Sequence, residues 1–113
     1  MRQQLLICHE FLLAASRSEL PMTVRQLTVM TTIGTKPGHH TIRGLAKYIG
    51  TPKSAISRAV DTLTAWGFVI RLPDRQDKRS VKLKLTAKGF DYVEELLTKL
   101  NQNLKQKEED NDD

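Results

Sequence analysis

Apolar side chains recur at helical spacing along most of this chain, switch once to alternation, and then return to a helical seam. The first run, over residues 2–17, holds Leu5, Leu6, Ile7, Phe11, Leu12, Leu13, Ala14 and Ala15. That set is wider than one stripe and predicts a helix that buries two faces. Residues 18–21 end it, and Thr23 is placed as the N-cap of a second helix over residues 24–33. Gly34, Pro37 and Gly38 mark a turn, with His39 and His40 a candidate for a very short strand. A third helix opens at Thr41, with Ile42, Leu45, Ala46 and Ile49 on one face, and Gly50 stops it. Thr51 is expected to cap a fourth helix with Pro52 at its first position. That helix runs to about Trp66, with Ile56, Val60 and Leu63 inward and Lys53, Ser54, Ser57, Arg58 and Asp61 outward. Gly67 ends it.

The period then changes. Phe68, Ile70 and Leu72 alternate with Val69 and Arg71, and Val81, Leu83 and Leu85 alternate with Lys82 and Lys84. Two antiparallel strands are predicted, joined by the long charged connection 73–80. Thr86 caps a last helix over residues 87–104, where Phe90, Val93, Leu97, Leu100 and Leu104 follow a 3, 4, 3, 4 spacing suited to packing against another helix. The polar, acidic stretch 105–113 is expected to be disordered. The fold class is therefore mainly α with a small β-hairpin. Residues 1–104 are expected to form one domain, because 113 residues are too few for two.

Composition narrows the class of partner. No apolar run is long enough to span a bilayer, so no membrane association is expected. Cys8, His9 and Glu10 interrupt the apolar residues 5–15, against a cleavable leader. A single cysteine makes no internal disulfide and fits a reducing compartment. The net charge of +5 hides an uneven distribution. Residues 36–88 carry 12 basic and 3 acidic side chains, a balance of +9, while five of the 13 acids lie in residues 108–113. A basic stretch of that density points to a polyanion.

The spacing inside that stretch says which one. Counting Ile42 as the first position, Ala46 is fifth, Gly50 ninth and Ile56 fifteenth. A helix-turn-helix needs a small residue at the fifth place for close approach, a left-handed turn at the ninth, and a branched apolar side chain at the fifteenth. An αα-corner without a nucleic-acid role shares that pattern, but the charged hairpin that follows makes the arrangement a winged helix-turn-helix. Its second helix enters the major groove, where Lys53, Ser54, Ser57 and Arg58 lie on the exposed first turns. Arg58 has the fork that reads guanine. Arg75, Lys78 and Arg79 at the hairpin tip are placed for the minor groove. Asp74 and Asp77 either pair with these arginines or stand in a solvated turn. Arg43, Lys47, Lys82 and Lys84 are candidates for phosphate contacts.

The segment from Leu27 to Gly89 resembles the MarR family of winged-helix transcriptional regulators. Ser57, Arg58, Asp61, Leu63, Gly67, Phe68, Val69 and Arg71 match its recognition-helix and first-strand pattern. Asp74, Asp77 and Arg79 match its wing signature, and Leu85, Thr86 and Gly89 close the motif. One wing arginine position is occupied by Gln76, with Arg75 beside it. The resemblance implies a homodimer that binds double-stranded DNA at a pseudo-palindromic site and acts as a repressor, in the cytoplasm at the nucleoid. The N- and C-terminal helices would dimerise through Leu5, Leu12, Phe90, Val93, Leu97, Leu100 and Leu104. Whether a small-molecule effector exists is left open.

Other chemistry is weaker. Cys8 is read as a small buried hydrophobe ahead of a redox sensor. Cys8, His9 and Glu10 point in different directions on a helix, so no metal site is expected there or at His39 and His40. No cofactor is expected, and no nucleophile, acid–base or phosphate-loop grouping suggests an enzyme. The alternatives to a DNA-binding regulator are a winged-helix protein adaptor and an architectural or replication protein.

Overall fold

The computed structural model describes residues 1–77 and 79–111, with side chains described through residue 107. In chain order they form α1 (Arg2–Ser16), α2 (Val24–Thr35), α3 (Ile42–Ile49), α4 (Lys53–Ala65), β1 (Val69–Pro73), β2 (Val81–Leu85) and α5 (Ala87–Asn111). They fall into two compact units: Thr23–Asp91, and Met1–Met22 together with the chain from Tyr92 onward.

The central unit is held by a continuous apolar core. Leu27, Val29 and Met30 of α2, Leu45 and Ala46 of α3, Ile56, Val60 and Leu63 of α4, and Phe68, Val69 and Leu83 are all buried. Three helix starts in this unit are capped by threonine. Thr23 and Gln26 form a reciprocal capping box, with Gln26 N–H to Thr23 Oγ1 at 3.1 Å and Thr23 N–H to Gln26 Oε1 at 2.9 Å. The Thr41 hydroxyl accepts from Gly44 N–H at 2.9 Å, and Thr86 accepts from Gly89 N–H at 3.0 Å. At α4 the expected cap is displaced. Pro52, with ψ 147°, is the residue that flanks the helix, and Lys53 is its first member. The Thr51 hydroxyl is buried without a hydrogen-bond partner among the described residues. Proline cannot donate an N–H and its extended ψ suits the flanking position, so the helix begins one residue later than its threonine suggests.

β1 and β2 pair antiparallel with Val69 opposite Leu85, Arg71 opposite Leu83 and Pro73 opposite Val81. Val69 is the one buried residue of β1. Ile70, opposite Lys84, is 44% exposed. The expected alternation does not carry through β1: Val69 is buried, Ile70, Arg71 and Pro73 are exposed and Leu72 is intermediate, while Phe68 is buried before the strand starts. His40 adds a single bridge to Leu83, whose N–H donates to the His40 carbonyl at 2.7 Å, as the short-strand reading expected.

In the terminal unit, α1 buries Glu10, Ala14 and Ala15 and leaves Leu5, Ile7 and Leu12 exposed, so only one of its two apolar faces is covered within the chain. On α5, Leu96 and Leu100 are buried, Leu97 is exposed, and Val93 and Leu104 are intermediate. Leu100 is thus already covered by its own chain, whereas Phe90 is exposed and belongs to the central unit. Two expectations are corrected. Cys8 is exposed rather than buried, because the buried stripe of α1 runs through Glu10 and Ala14. The stretch beyond Lys105 is helical through Asn111 rather than disordered, and residues 112–113 of the expected tail lie outside the described residues. Part of the reason is an ion pair between Lys107 and Glu10, whose side chain is 3% exposed. Lys107 and, more weakly, Asn103 hold the Glu10 carboxyl below its usual range against the opposing effect of burial. Tyr92 in the same unit donates to the Leu20 carbonyl at 2.9 Å.

Candidate nucleic-acid interface

The turn between α3 and α4 sets the direction of the exposed α4 face. Gly50 takes φ 80° and ψ 34°, a left-handed conformation that glycine adopts without a Cβ penalty. Its N–H and that of Thr51 both donate to the Ala46 carbonyl, at 2.9 and 3.1 Å. Ala46 is small enough for the helices to close, and Ile56 is fully buried across the corner. All three helix-turn-helix positions therefore hold the roles their residue types require.

With Ile56, Val60 and Leu63 buried, Lys53, Ser54 and Arg58 are exposed and Ser57 is partly so. No acidic residue occupies the first turn of α4, and its flanking proline supplies no side-chain acceptor. The positive end of the helix dipole is thus uncompensated on the same surface as Lys53 and Arg58. Neither of those side chains has an ion-pair partner among the described residues. Arg58 also borders an open groove of about 610 Å³ with Arg25, Thr28, Thr51 and Thr62, so a second guanidinium lines the same hollow. On α3, Arg43 and Lys47 are both exposed.

The wing loop is built by its carboxylates. Asp74 accepts from Gln76 N–H at 2.9 Å and Asp77 from Arg79 N–H at 3.0 Å. Both bond backbone rather than arginine side chains, and Arg75 and Arg79 remain exposed without ion pairs among the described residues. The Gln76 N–H, with help from Lys82, holds the Asp74 carboxyl below its ordinary value. Lys82 lies 3.7 Å from Asp74. It is therefore engaged inside the wing, whereas Lys84 is exposed. Lys78 lies outside the described residues.

Further contacts that sequence reading did not assign tie the elements around the wing together. Arg71 on β1 donates to Asp61 on α4 at 2.5 Å, tying the wing strand to the helix that carries Arg58. At the start of α5, the Thr86 hydroxyl donates to the Gly67 carbonyl at 2.6 Å and Lys88 to the Trp66 carbonyl at 2.9 Å. Lys88 also lies 5.2 Å from the centre of the Phe68 ring. The signal for the first was present, since Asp61 and Arg71 both sit in the motif, but ten residues of separation gave no partner. No cluster of three or more metal-ligating side chains occurs among the described residues. Nor is any described helix long and apolar enough to cross a membrane.

Five helices with a two-stranded hairpin after a helix-turn-helix define a winged helix of the kind found in transcriptional regulators. The family model of the MarR family matches residues 20–80, more than half of the chain, and the chain belongs to that family. The HTH-type transcriptional regulator SarT of Staphylococcus aureus is 30% identical over 66 residues, covering 58% of this chain and 56% of its own. The chain thus spans little more than half the length of that relative. The apo form of MarR from E. coli superposes with a TM-score of 0.70 at 29% identity, over 94% of this chain and 79% of its own. The C80S mutant of MarR complexed with operator DNA matches at the same TM-score and identity, over 94% and 76%. Tm0710 of Thermotoga maritima, at 23% identity and a TM-score of 0.81 over 96% and 78%, shares the fold.

Proposed function

We propose that this chain is a sequence-specific, double-stranded DNA-binding transcriptional regulator that acts as a homodimeric repressor on a pseudo-palindromic site. The observation that carries the reading is the exposed first half of α4. It presents Lys53, Ser54, Ser57 and Arg58 on a helix whose first turn contains no acid, with Arg58 free of ion pairs among the described residues. The likeness to MarR, whose mutant is crystallised with operator DNA, supports the same reading. Arg58 forks onto a base edge, while Lys53, Arg43, Lys47 and Lys84 meet phosphates. Arg75 and Arg79, on a loop already shaped by Asp74 and Asp77, reach the adjacent minor groove. Dimerisation uses the exposed Leu5, Leu12 and Leu97, which the chain itself leaves uncovered.

Selection of bound duplexes from a random library, with solution mass in parallel, tests both parts. A two-fold symmetric site and a dimer mass are expected. Arg58→Ala should flatten the base preference while leaving low-salt binding to random duplex nearly intact. Uniform weakening across all sequences would remove Arg58 from base readout. No shift of any duplex at low salt would favour a protein-binding adaptor.

A further inference from the structure

Outside the α4 face and the wing, one group of side chains in the central unit is arranged without an intrachain purpose. Tyr48, in the last turn of α3, is 60% exposed, and Lys36 Nζ lies 5.4 Å from the centre of its ring. Lys36 is not a loosely tethered surface lysine. It closes α2, with its N–H donating to the Thr32 carbonyl at 3.0 Å and its carbonyl bonded to the His40 ring at 2.8 Å. Its backbone is therefore pinned on both sides while its ammonium rests on an aromatic face, an arrangement that fixes the charge in position.

The chain segment around the pair is cationic. Residues 36–53 contain Lys36, Arg43, Lys47 and Lys53 and no acid. None of these four forms an ion pair among the described residues. On α3, Leu45 and Ala46 face the core, and the outward surface consists of two neighbouring rows, Arg43 with Lys47 and Gly44 with Tyr48. Gly44 contributes no side chain, so the second row is open up to the tyrosine ring. In a helix-turn-helix the first helix crosses the sugar–phosphate backbone while the second occupies the groove. The outward rows of α3 are then the surface turned to phosphates, and the Lys36–Tyr48 pair borders that surface.

We infer that Lys36, held on the ring of Tyr48, forms an additional phosphate clamp that grips duplex DNA outside the half-site read by α4. The inference rests on the DNA-binding function proposed above. The clamp positions the helix on the backbone and reads no base, so it lengthens the footprint without altering the preferred sequence. Tyr48 acts through the lysine, as a positioning residue whose ring face is what matters; its hydroxyl is dispensable.

The test uses a selected site in two duplexes, one trimmed to the symmetric core and one with about six further base pairs on each side. Binding is measured by fluorescence anisotropy over a salt series, after thermal unfolding has matched each variant to the wild type. On the flanked duplex, Lys36→Ala should lower the salt slope by about 0.9 per protomer. Affinity should fall about eightfold per protomer at 0.1 M salt. On the trimmed duplex it should bind like the wild type. Tyr48→Leu should show part of the same loss and Tyr48→Phe none. An unchanged slope for Lys36→Ala on the flanked duplex overturns the clamp, and so does an equal loss on both duplexes, which would place Lys36 inside the core contact. Wild-type protein that binds neither duplex refutes the DNA-binding function itself, an outcome distinct from both.

Discussion

Replacing Gly89 by alanine should be the most damaging conservative change in the central unit. A Cβ at that position falls onto the carbonyl oxygen of Phe68, with the Phe68 carbonyl carbon at 3.2 Å and its Cα at 3.4 Å. The obstruction is backbone on both sides, so no side-chain rotation relieves it. Relief requires α5 to lift from the end of β1. That movement breaks the Thr86 N–H bond to Phe68 at 3.0 Å and the Thr86 hydroxyl bond to Gly67 at 2.6 Å. Two hydrogen bonds at about 1 kcal/mol each add to about 1–3 kcal/mol of overpacking. Alanine recovers about 1 kcal/mol of helix propensity, leaving a net loss of about 2–4 kcal/mol. At an m-value of about 2 kcal/mol/M, the urea midpoint should fall by about 1–2 M. Gly34→Ala is the control, because its Cβ meets only the far end of Leu85 at 3.1 Å and Phe90 at 3.9 Å. It should stay within about 0.5 kcal/mol of wild type, since those side chains can turn aside. Equal midpoints for Gly89→Ala and wild type would refute the close approach of α5 to β1.

Two further outcomes concern acid pH. Asp74 has a folded-state pKa below its ordinary 3.8, so the stabilisation it gives the wing is present above 3.8 and is lost as pH falls through the lower folded value. The Gln76 amide resonance should therefore hold steady from neutral pH to about 4.5 and move only at stronger acidity, where a shift already complete at pH 5 would contradict the hydrogen bond. Glu10 is likewise depressed from 4.5, first by Lys107, and its contribution is also lost on acidification. Lys107→Met should raise the Glu10 titration and move acid unfolding to higher pH, and an unchanged acid transition would show that the pair does not hold α5 to α1.

The central unit was largely legible because its signals are local. Gly50, Ala46 and Ile56 each need a specific residue type at a specific spacing, and threonines 23, 41 and 86 mark helix starts by bonding amides three residues away. What escaped depended on partners distant in the chain. Glu10 reads as one polar residue in an apolar run, and its burial follows from a lysine 97 residues later. The helical continuation through Asn111 was hidden for the same reason. Cys8 was misplaced because eight apolar residues in the first helix do not declare which stripe is buried. In the wing, opposite charges close in sequence suggested side-chain pairing. Instead, Asp74 and Asp77 lie two residues before the backbone N–H groups that hold them. Asp61 and Arg71 were recognisable individually, but nothing short of the fold shows that they meet.

The small hairpin has one more consequence, for behaviour in concentrated solution. A two-stranded sheet presents two outer edges, each a row of backbone groups that invites a strand from another molecule. Here the outer edge of β2 is met at Leu83 by His40, whose carbonyl occupies the central N–H. β1 ends in Pro73, which has no N–H to offer, and carries the charged Arg71 at its middle. Both edges are therefore blunted by the residues that build the wing, so the hairpin can stand out from the molecule without seeding edge-to-edge aggregation.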